Sequence, residues 1–307
     1  MLLKIRTKEE QIDKRIRVKH EEADEEDGAP IMWDEKDAPD SSIFVPLKFG
    51  TTNLAHRSSP VLPSFLVRGK NYLIDGKKSF SDGTLFPFRG ADLFLTKNPP
   101  EHIGRHPALM DGKLREKPTF LINFLLPWGT LILYFEIPEQ FLPFLLKRYD
   151  PAAVHSNHSL HSLEVGMTPA ERCVGRFLLG DDDHKKQTLK ILPRVADGPW
   201  VVKSVVGNAK PAIIGNKLPV KYFYQPSQNV SNMANAAYLE VDLDIAASGA
   251  ARKILSVVRS ATQSLTFDVG FVCEGKQADE LPEQTMVACR LKGVDPSNAP
   301  PLPPMPL

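Results

Sequence analysis

The densest group of residues that could do chemistry is the segment 180–184, which reads GDDDH. An aspartate beside a histidine can serve as a general base or help to hold a divalent cation. However, Lys185, Lys186 and an apolar LKIL stretch follow at once, which is the order expected at a helix start, where aspartates cap free amides and favour the positive end of the dipole. No nucleophile elbow, electropositive cysteine setting or glycine-rich dinucleotide turn accompanies the segment. We therefore predict a helix cap and no enzymatic activity.

Two histidine patterns invite a metal interpretation. His102 and His106 stand four residues apart, as in the helices of zinc hydrolases, but no glutamate follows His102 and Gly104 weakens a helix. The histidines of the segment 155–161 repeat every third residue, which no helix or strand presents on a single face. We predict no metal site and no cofactor, and we interpret the segment 155–161 as a flexible surface loop.

A third pattern, in residues 69–79, superficially resembles a phosphate-binding loop. That motif needs a glycine five residues before the Gly76-Lys77 pair, and position 71 is asparagine. Gly76 is more simply the turn residue of a hairpin whose strands are NYLI and KKSF.

The elements around these residues are mostly strands. The most apolar stretch, residues 120–135, is shorter than the roughly 20 residues of a membrane-spanning helix. It contains two β-favouring runs, FLINFLL and TLILYFEI, on either side of Pro127, Trp128 and Gly129, which predicts a hairpin. The run QFLPFLLKRYD predicts a helix that begins late or is kinked at Pro143.

The second half of the chain predicts strand, helix, strand and strand. In YLEVDLDI, apolar residues alternate with Glu240, Asp242 and Asp244, which is typical of a half-buried strand. Residues 249–265 carry an apolar stripe at helical spacing. SLTFDVGFVCEG and TMVACRLKG follow as strands, joined by a loop that ends in ELPE. The fold class predicted is α+β, a curved antiparallel sheet with helices packed on one face.

Composition excludes several classes of function. The 38 Lys and Arg residues balance 37 Asp and Glu residues, and the pI is about 7.7, so we predict no nucleic-acid partner. The amino terminus lacks the apolar stretch of a signal peptide, and the 3 cysteines are widely separated. A cytoplasmic location is therefore expected.

One domain with two tails is the expected organisation. Residues 1–30 end in the acidic run EEADEED and predict a disordered tail. Residues 31–295 form the single α+β domain, and residues 296–307 form a proline-rich tail. The PxxP spacing of that tail could bind a protein partner, but no basic residue lies beside it.

Four blocks of sequence resemble one known family. The chain contains VRGKNYL, then FLLGDDDHKKQTLKILPRVADGPWVVKSVVG, then YLEVDLDIAASGAARKILSVVRSATQSLTFDVGFVCEG, and then ELPEQTMVACRL. In order and spacing these blocks resemble the C-terminal domain of the plant Enhanced Disease Resistance Two family over roughly residues 64–293. In plant members that domain follows a pleckstrin homology domain and a START-type lipid-binding domain. The resemblance therefore implies a eukaryotic protein that works with lipids at membranes, here expected as a free-standing copy without those two domains.

Two functions from different classes are compatible with these observations. The first is a lipid-binding or lipid-transfer module, in which the sheet curves round the 249–265 helix and leaves an apolar cavity. The expected lining residues are Leu243, Ile245, Leu255, Val258, Leu265, Phe267 and Phe271. The same residues would equally form a filled core, and the alternative function is a non-enzymatic protein-interaction domain without a small ligand.

A reversible membrane contact is the last expectation from the sequence. The tip of an apolar hairpin leaves Trp128 few neighbours, and indole rings favour the boundary between headgroups and acyl chains. Phe141 and Phe144 stand just before Lys147 and Arg148, which places apolar anchors beside two cations. Alternatively, Trp128 folds back onto the domain and the FLPFLL run belongs to the core.

Overall fold

The computed structural model of the chain describes residues 44–45, 65–106, 109, 113–149, 159–206, 211–216, 218–226 and 237–304. The predicted acidic tail (residues 1–30) and most of the segment 155–161 lie outside these residues. The described strands are β1 (Phe44–Val45), β2 (Leu66–Arg68), β3 (Lys78–Phe80), β4 (Phe88–Leu95), β5 (Thr119–Leu126), β6 (Gly129–Glu136), β7 (Leu189–Asp197), β8 (Ala212–Ile213), β9 (Val220–Gln225), β10 (Tyr238–Asp244), β11 (Thr266–Cys273) and β12 (Thr285–Lys292). The alternating and β-branched runs identified in the sequence thus become strands, and the α+β class is confirmed.

The strands form two larger sheets rather than one. The first sheet has the order β1-β12-β11-β7-β8 and is antiparallel. The second has the order β4-β6-β5-β10-β9, and β10 runs parallel to β5. The structure thus adds to the predicted antiparallel sheet a second large sheet and one parallel pair of strands. Hydrophobic alternation indicates which residues share a face, but it does not indicate which distant strands pair.

A third, two-stranded sheet pairs β2 with β3. The segment NYLI, predicted as a strand of this hairpin, instead forms a single helical turn that ends at Gly76. Gly76 has φ 65°, the left-handed conformation that glycine adopts without steric cost, so its prediction as a turn residue is confirmed.

The described helices are α1 (Tyr72–Asp75), α2 (Lys113–Glu116), α3 (Leu142–Tyr149), α4 (Leu160–Leu163), α5 (Pro169–Leu179), α6 (Asp182–Thr188), α7 (Trp200–Val206) and α8 (Gly249–Arg259). As predicted from the proline, α3 begins only at Leu142 and tolerates Pro143 in its first turn. The helix predicted over residues 249–265 ends six residues early, because hydroxyl groups after Arg259 bond to the last carbonyls.

The main core combines side chains from both large sheets with those of α3 and α5. Phe141, Phe144, Phe177 and Phe271 are all fully buried in it. Helices α3 and α5 approach closely because Gly175 has no side chain. A Cβ atom added there would lie 2.8 Å from the Phe144 ring. The helices that complete the core are therefore α3 and α5, and not the 249–265 helix that the sequence suggested.

The proline-rich C terminus belongs partly to the folded domain. Leu95 N donates to Pro300 O at 2.8 Å and Leu302 N donates to Leu95 O at 3.0 Å, so residues 300–302 run along the edge of β4. Leu302 packs on a small core formed by the outer face of the second sheet. Backbone pairing thus fixes the chain beyond the domain boundary predicted at residue 295. A protein partner for the tail stays a prediction.

Candidate lipid site and polar clusters

The acidic segment 180–184 caps a helix. The Asp181 side chain accepts a hydrogen bond from His184 N at 2.8 Å, and α6 begins at Asp182. This bond lowers the pKa of Asp181. The prediction of a helix cap is confirmed, and whether the segment has a catalytic role stays untested.

Lys185, next in the chain, is the residue that sequence reasoning missed. Its side chain is fully buried, and the ammonium group donates to Gly180 O. The nitrogen also lies 5.2 Å from the ring centre of Tyr149 and 6.0 Å from those of Phe177 and Tyr222, within the range of cation–π attraction. Burial lowers the pKa of Lys185 to about 8, and the charge of Arg148 adds to this effect. The lysine thus acts as an internal cation that joins α6 to α3, α5 and β9.

Two buried hydroxyl groups accompany this lysine. The Oη atoms of Tyr149 and Tyr222 are buried without a hydrogen-bond partner in the described part of the chain. Burial raises the pKa of Tyr149 to about 12 and raises that of Tyr222 further. Both phenols therefore stay neutral at physiological pH and contribute aromatic faces rather than charge.

A second polar cluster lies on the outer face of the second sheet. Glu240 and Asp242 of β10 are buried, although the alternating pattern predicted only a half-buried strand. Glu240 accepts from Ile103 N at 2.7 Å and from Gly104 N at 2.9 Å, and Asp242 accepts from His102 N at 2.9 Å. Burial, reinforced by the neighbouring carboxyl group, raises the pKa of Glu240 to about 9. The two carboxyl groups therefore hold a proton at neutral pH.

The two histidines for which the sequence predicted no metal role make other contacts, and only His102 is shown to adjoin this cluster. His102 has φ 54°, its Nε2 atom lies 2.9 Å from the Tyr238 hydroxyl, and its ring stacks on Phe223 at 4.5 Å. His106 Nε2 lies 3.0 Å from Pro303 O, on the C-terminal segment. Within the described residues, no three His, Cys, Asp or Glu side chains gather as metal ligands would.

The seven residues predicted to line a lipid cavity lie in two environments. Leu243, Leu265 and Phe271 are buried, and the Phe271 ring packs 6.2 Å from that of Phe124. The other four, which are half-buried, are Ile245, Leu255, Val258 and Phe267. Five of the seven belong to the main core or pack against it: Leu243, Ile245, Leu255, Phe267 and Phe271. Whether they bind a lipid stays a prediction.

A polar cleft of about 510 Å³ adjoins the carboxyl end of α8. Its lining runs from Arg259 to Ser264 and includes Asp295, Pro296 and Ser297. None of the predicted apolar lining residues contributes to it, so this cleft is not the cavity that the sequence suggested.

The predicted membrane-contact residues do not form one surface. Phe141 and Phe144 are fully buried in the main core, so their prediction as membrane anchors was wrong. Trp128 is half-buried and packs against the same core, with the Arg259 guanidinium 4.7 Å from its ring centre. Contact through Trp128, Lys147 and Arg148 stays a prediction. In the described part of the chain, no helix is long and apolar enough to cross a bilayer.

Together, the two large sheets and helices α3 and α5 define an α+β domain that contains buried polar clusters. The family model described as Protein ENHANCED DISEASE RESISTANCE 2, C-terminal, matches residues 58–295, and the chain belongs to this family. A similar protein is Protein ENHANCED DISEASE RESISTANCE 2-like from Arabidopsis thaliana, 26% identical over 241 residues. The match covers 77% of this chain but only 28% of that relative's length. No solved structure matches the chain.

Proposed function

We propose that the protein is a lipid-binding or lipid-transfer module that acts at intracellular membranes without enzymatic chemistry. Its resemblance to a family whose plant members join this domain to lipid-binding domains supports the proposal. The three cysteines, Cys173, Cys273 and Cys289, are unpaired and buried, which fits a reducing compartment such as the cytoplasm.

The observation that supports this proposal most is the shallow packing of α8. The helix has an apolar stripe, but none of its residues is buried, and Ala251, Leu255 and Val258 are only half-buried. A surface helix normally turns such a stripe onto the core and covers it. Leu255 packs against the main core, and Ile245 and Phe267, which border the same core, are also half-buried.

An acyl chain between α8 and this edge of the core would complete the burial of these side chains. Each aliphatic side chain that becomes fully buried contributes about 1.5–3 kcal/mol relative to an exposed one, and a half-buried side chain gains a fraction of this. The headgroup of such a lipid needs polar surroundings, and the polar cleft after Arg259 would supply them.

The direct test is to purify the protein from a cell extract and analyse it by mass spectrometry in organic solvent. We expect a stoichiometric lipid to be released. The delipidated protein should then take up a fluorescent fatty acid, sterol or ceramide. A ligand-free preparation that takes up none of the three probes would contradict the proposal.

Two variants of α8 locate the binding site. Leu255→Trp puts an indole where the acyl chain is proposed to lie, so we expect lost lipid uptake with little change in the free energy of unfolding. Ile254→Trp is the matched control, because Ile254 is 38% exposed on the same helix and its indole would face solvent. If Leu255→Trp instead destabilises the protein by about 1–3 kcal/mol, as overpacking does, then α8 covers a filled core and the lipid, if any, binds elsewhere.

A further inference from the structure

The hairpin formed by β2, α1 and β3, residues 66–80, displays apolar side chains to solvent. Ile74 is 90% exposed, Phe80 64%, Leu73 52% and Leu66 46%. Leu66 and Phe80 are cross-strand partners, and α1 contains no buried residue. Four exposed large hydrophobic residues within one short hairpin are more than the scattered single ones that ordinary protein surfaces show.

This hairpin is rigid at its tip. Gly69 N donates to Lys77 O at 3.1 Å, and Tyr72 N donates to Gly69 O at 3.1 Å. Gly76 N closes the helical turn on Tyr72 O at 2.9 Å, and the Asp75 carboxylate accepts from Lys77 N at 2.8 Å. These hydrogen bonds therefore fix the backbone that carries the exposed side chains.

The base of the hairpin is fixed to the first sheet. Arg68 Nη1 donates to Gly275 O at 2.8 Å, and Arg68 N donates to the Glu283 carboxylate at 3.0 Å. The Arg68 guanidinium also lies 4.8 Å from the Tyr72 ring centre, which connects base and tip. Beneath the hairpin, Val67 packs in a small core with side chains of β7, β11 and β12. Because the hairpin is anchored in this way, binding a partner would cost little conformational entropy.

The charge around the apolar tip is positive. Lys70, Lys77 and Lys78 are exposed, and the acidic residue between them, Asp75, already accepts from the backbone. A protruding apolar tip surrounded by lysines complements a surface that is apolar inside and anionic outside. A bilayer with anionic headgroups has this combination, whereas the apolar groove of a protein partner needs no ring of cations.

We propose that the 66–80 hairpin docks the protein onto anionic membranes. Leu73 and Ile74 enter the boundary between headgroups and acyl chains, and the three lysines contact lipid phosphates. The inference rests on the proposed function in that it names the face with which the module meets a membrane. Each lysine near an anionic surface strengthens binding by about fivefold, so the three together contribute on the order of a hundredfold.

The test is co-sedimentation of the full chain with vesicles of phosphatidylcholine, with and without phosphatidylserine. We expect binding that depends on phosphatidylserine. The double variant Leu73→Ser/Ile74→Ser should bind on the order of tenfold more weakly, because two apolar side chains no longer leave water. The matched control, Leu160→Ser/Val165→Ser, removes two aliphatic side chains that are 39% and 72% exposed elsewhere, and it should bind like the wild type.

A second variant tests the charges. Replacing Lys70, Lys77 and Lys78 by glutamine should remove the dependence on phosphatidylserine. All these changes lie on the surface, and circular dichroism melts identical to the wild type would show that each variant folds. Equal sedimentation of the wild type and the Leu73→Ser/Ile74→Ser variant, or no sedimentation of the wild type, would overturn the inference.

Uptake of a fluorescent lipid from solution separates this inference from the proposed function. The hairpin variants should keep the uptake that Leu255→Trp loses. Normal uptake with unchanged sedimentation of the hairpin variants would refute the hairpin alone. Absent uptake together with hairpin-dependent sedimentation would refute lipid binding by the domain while the membrane-docking hairpin stands.

Discussion

Glu240→Gln should change how the stability of the protein depends on pH. The substitution keeps the size of the side chain but removes its titration. An amide group can donate to Asp242 in place of the shared proton, and its oxygen can still accept from Ile103 N or Gly104 N. The variant should therefore fold with the 101–106 segment in place over β10.

The sign of the effect follows from the pKa of Glu240 in the folded protein and its pKa in the unfolded chain. Burial beside Asp242 raises the pKa of Glu240 to about 9 in the folded protein, whereas a glutamate in an unfolded chain has a pKa of about 4.3. The stabilisation linked to the bound proton is therefore complete below about pH 4.3 and is lost as the pH rises towards the folded-state pKa. Between these values the folded state holds one more proton than the unfolded state. A difference of one proton lowers the free energy of unfolding by about 1.4 kcal/mol per pH unit at most.

The assay is urea denaturation of both proteins at several values from about pH 6 to pH 9, where the linkage acts. We expect the wild type to lose stability relative to Glu240→Gln as the pH rises, by up to about 1.4 kcal/mol per unit. Comparing the two proteins cancels the contributions of the titrating groups that do not interact with Glu240. Glu139→Gln, at an exposed glutamate, should run parallel to the wild type. Parallel curves for Glu240→Gln as well would refute the shared proton.

Two further substitutions test the packing of α3, α5 and α6. Gly175→Ala places a Cβ atom 2.8 Å from the Phe144 ring, so we expect a loss of about 1–3 kcal/mol that Phe144→Leu partly restores in the double variant. Additive losses in urea denaturation would contradict that contact. Lys185→Met should remove a rise in stability from about pH 8 to pH 10, because the folded pKa of Lys185 is lowered to about 8 while the unfolded chain keeps its proton. Thermal melts of both proteins across this range should show the wild type gaining stability relative to Lys185→Met as the pH rises, and parallel curves would exclude this lysine as the source.

The elements of this fold were largely readable from the sequence, because strict alternation leaves little choice of structure. β10, β11, β12 and the β5–β6 hairpin all appear where apolar periodicity predicted them. The pairing of these strands into sheets could not be predicted from the sequence. Nothing local in Tyr238–Asp244 indicates that the strand pairs in parallel with β5, more than a hundred residues away in the chain.

The buried polar residues were missed for a related reason. Periodicity separates two faces of an element, but it cannot show that another segment covers the polar one, as residues 102–104 cover Glu240 and Asp242. Helix α6 has no apolar residue at all, and its buried positions are Lys185 and Thr188. A face without hydrophobic side chains gives no signal from which burial could be predicted.

The apolar stripe proposed to face a lipid and the residues predicted to contact a membrane have different outcomes. The apolar stripe of α8 was identified correctly, and its incomplete burial became visible only in three dimensions. The prediction of Phe141 and Phe144 as membrane anchors was wrong. An apolar run beside two cations has the same sequence pattern in a core helix and in an interfacial helix. Exposure, which the sequence does not give, instead favours the 66–80 hairpin.

Residues 300–302, which lie along β4, cover a strand edge that would otherwise be open. Removing everything after residue 295, where the family match ends, would strip Leu95 N and Leu95 O of their hydrogen-bond partners. Strand β4 is the last strand on its side of the sheet, and a bare edge of this kind is a template for pairing with the same edge of another molecule. Pro301, the residue opposite Leu95, has no amide hydrogen, so this segment would itself be a poor edge for pairing with a further strand.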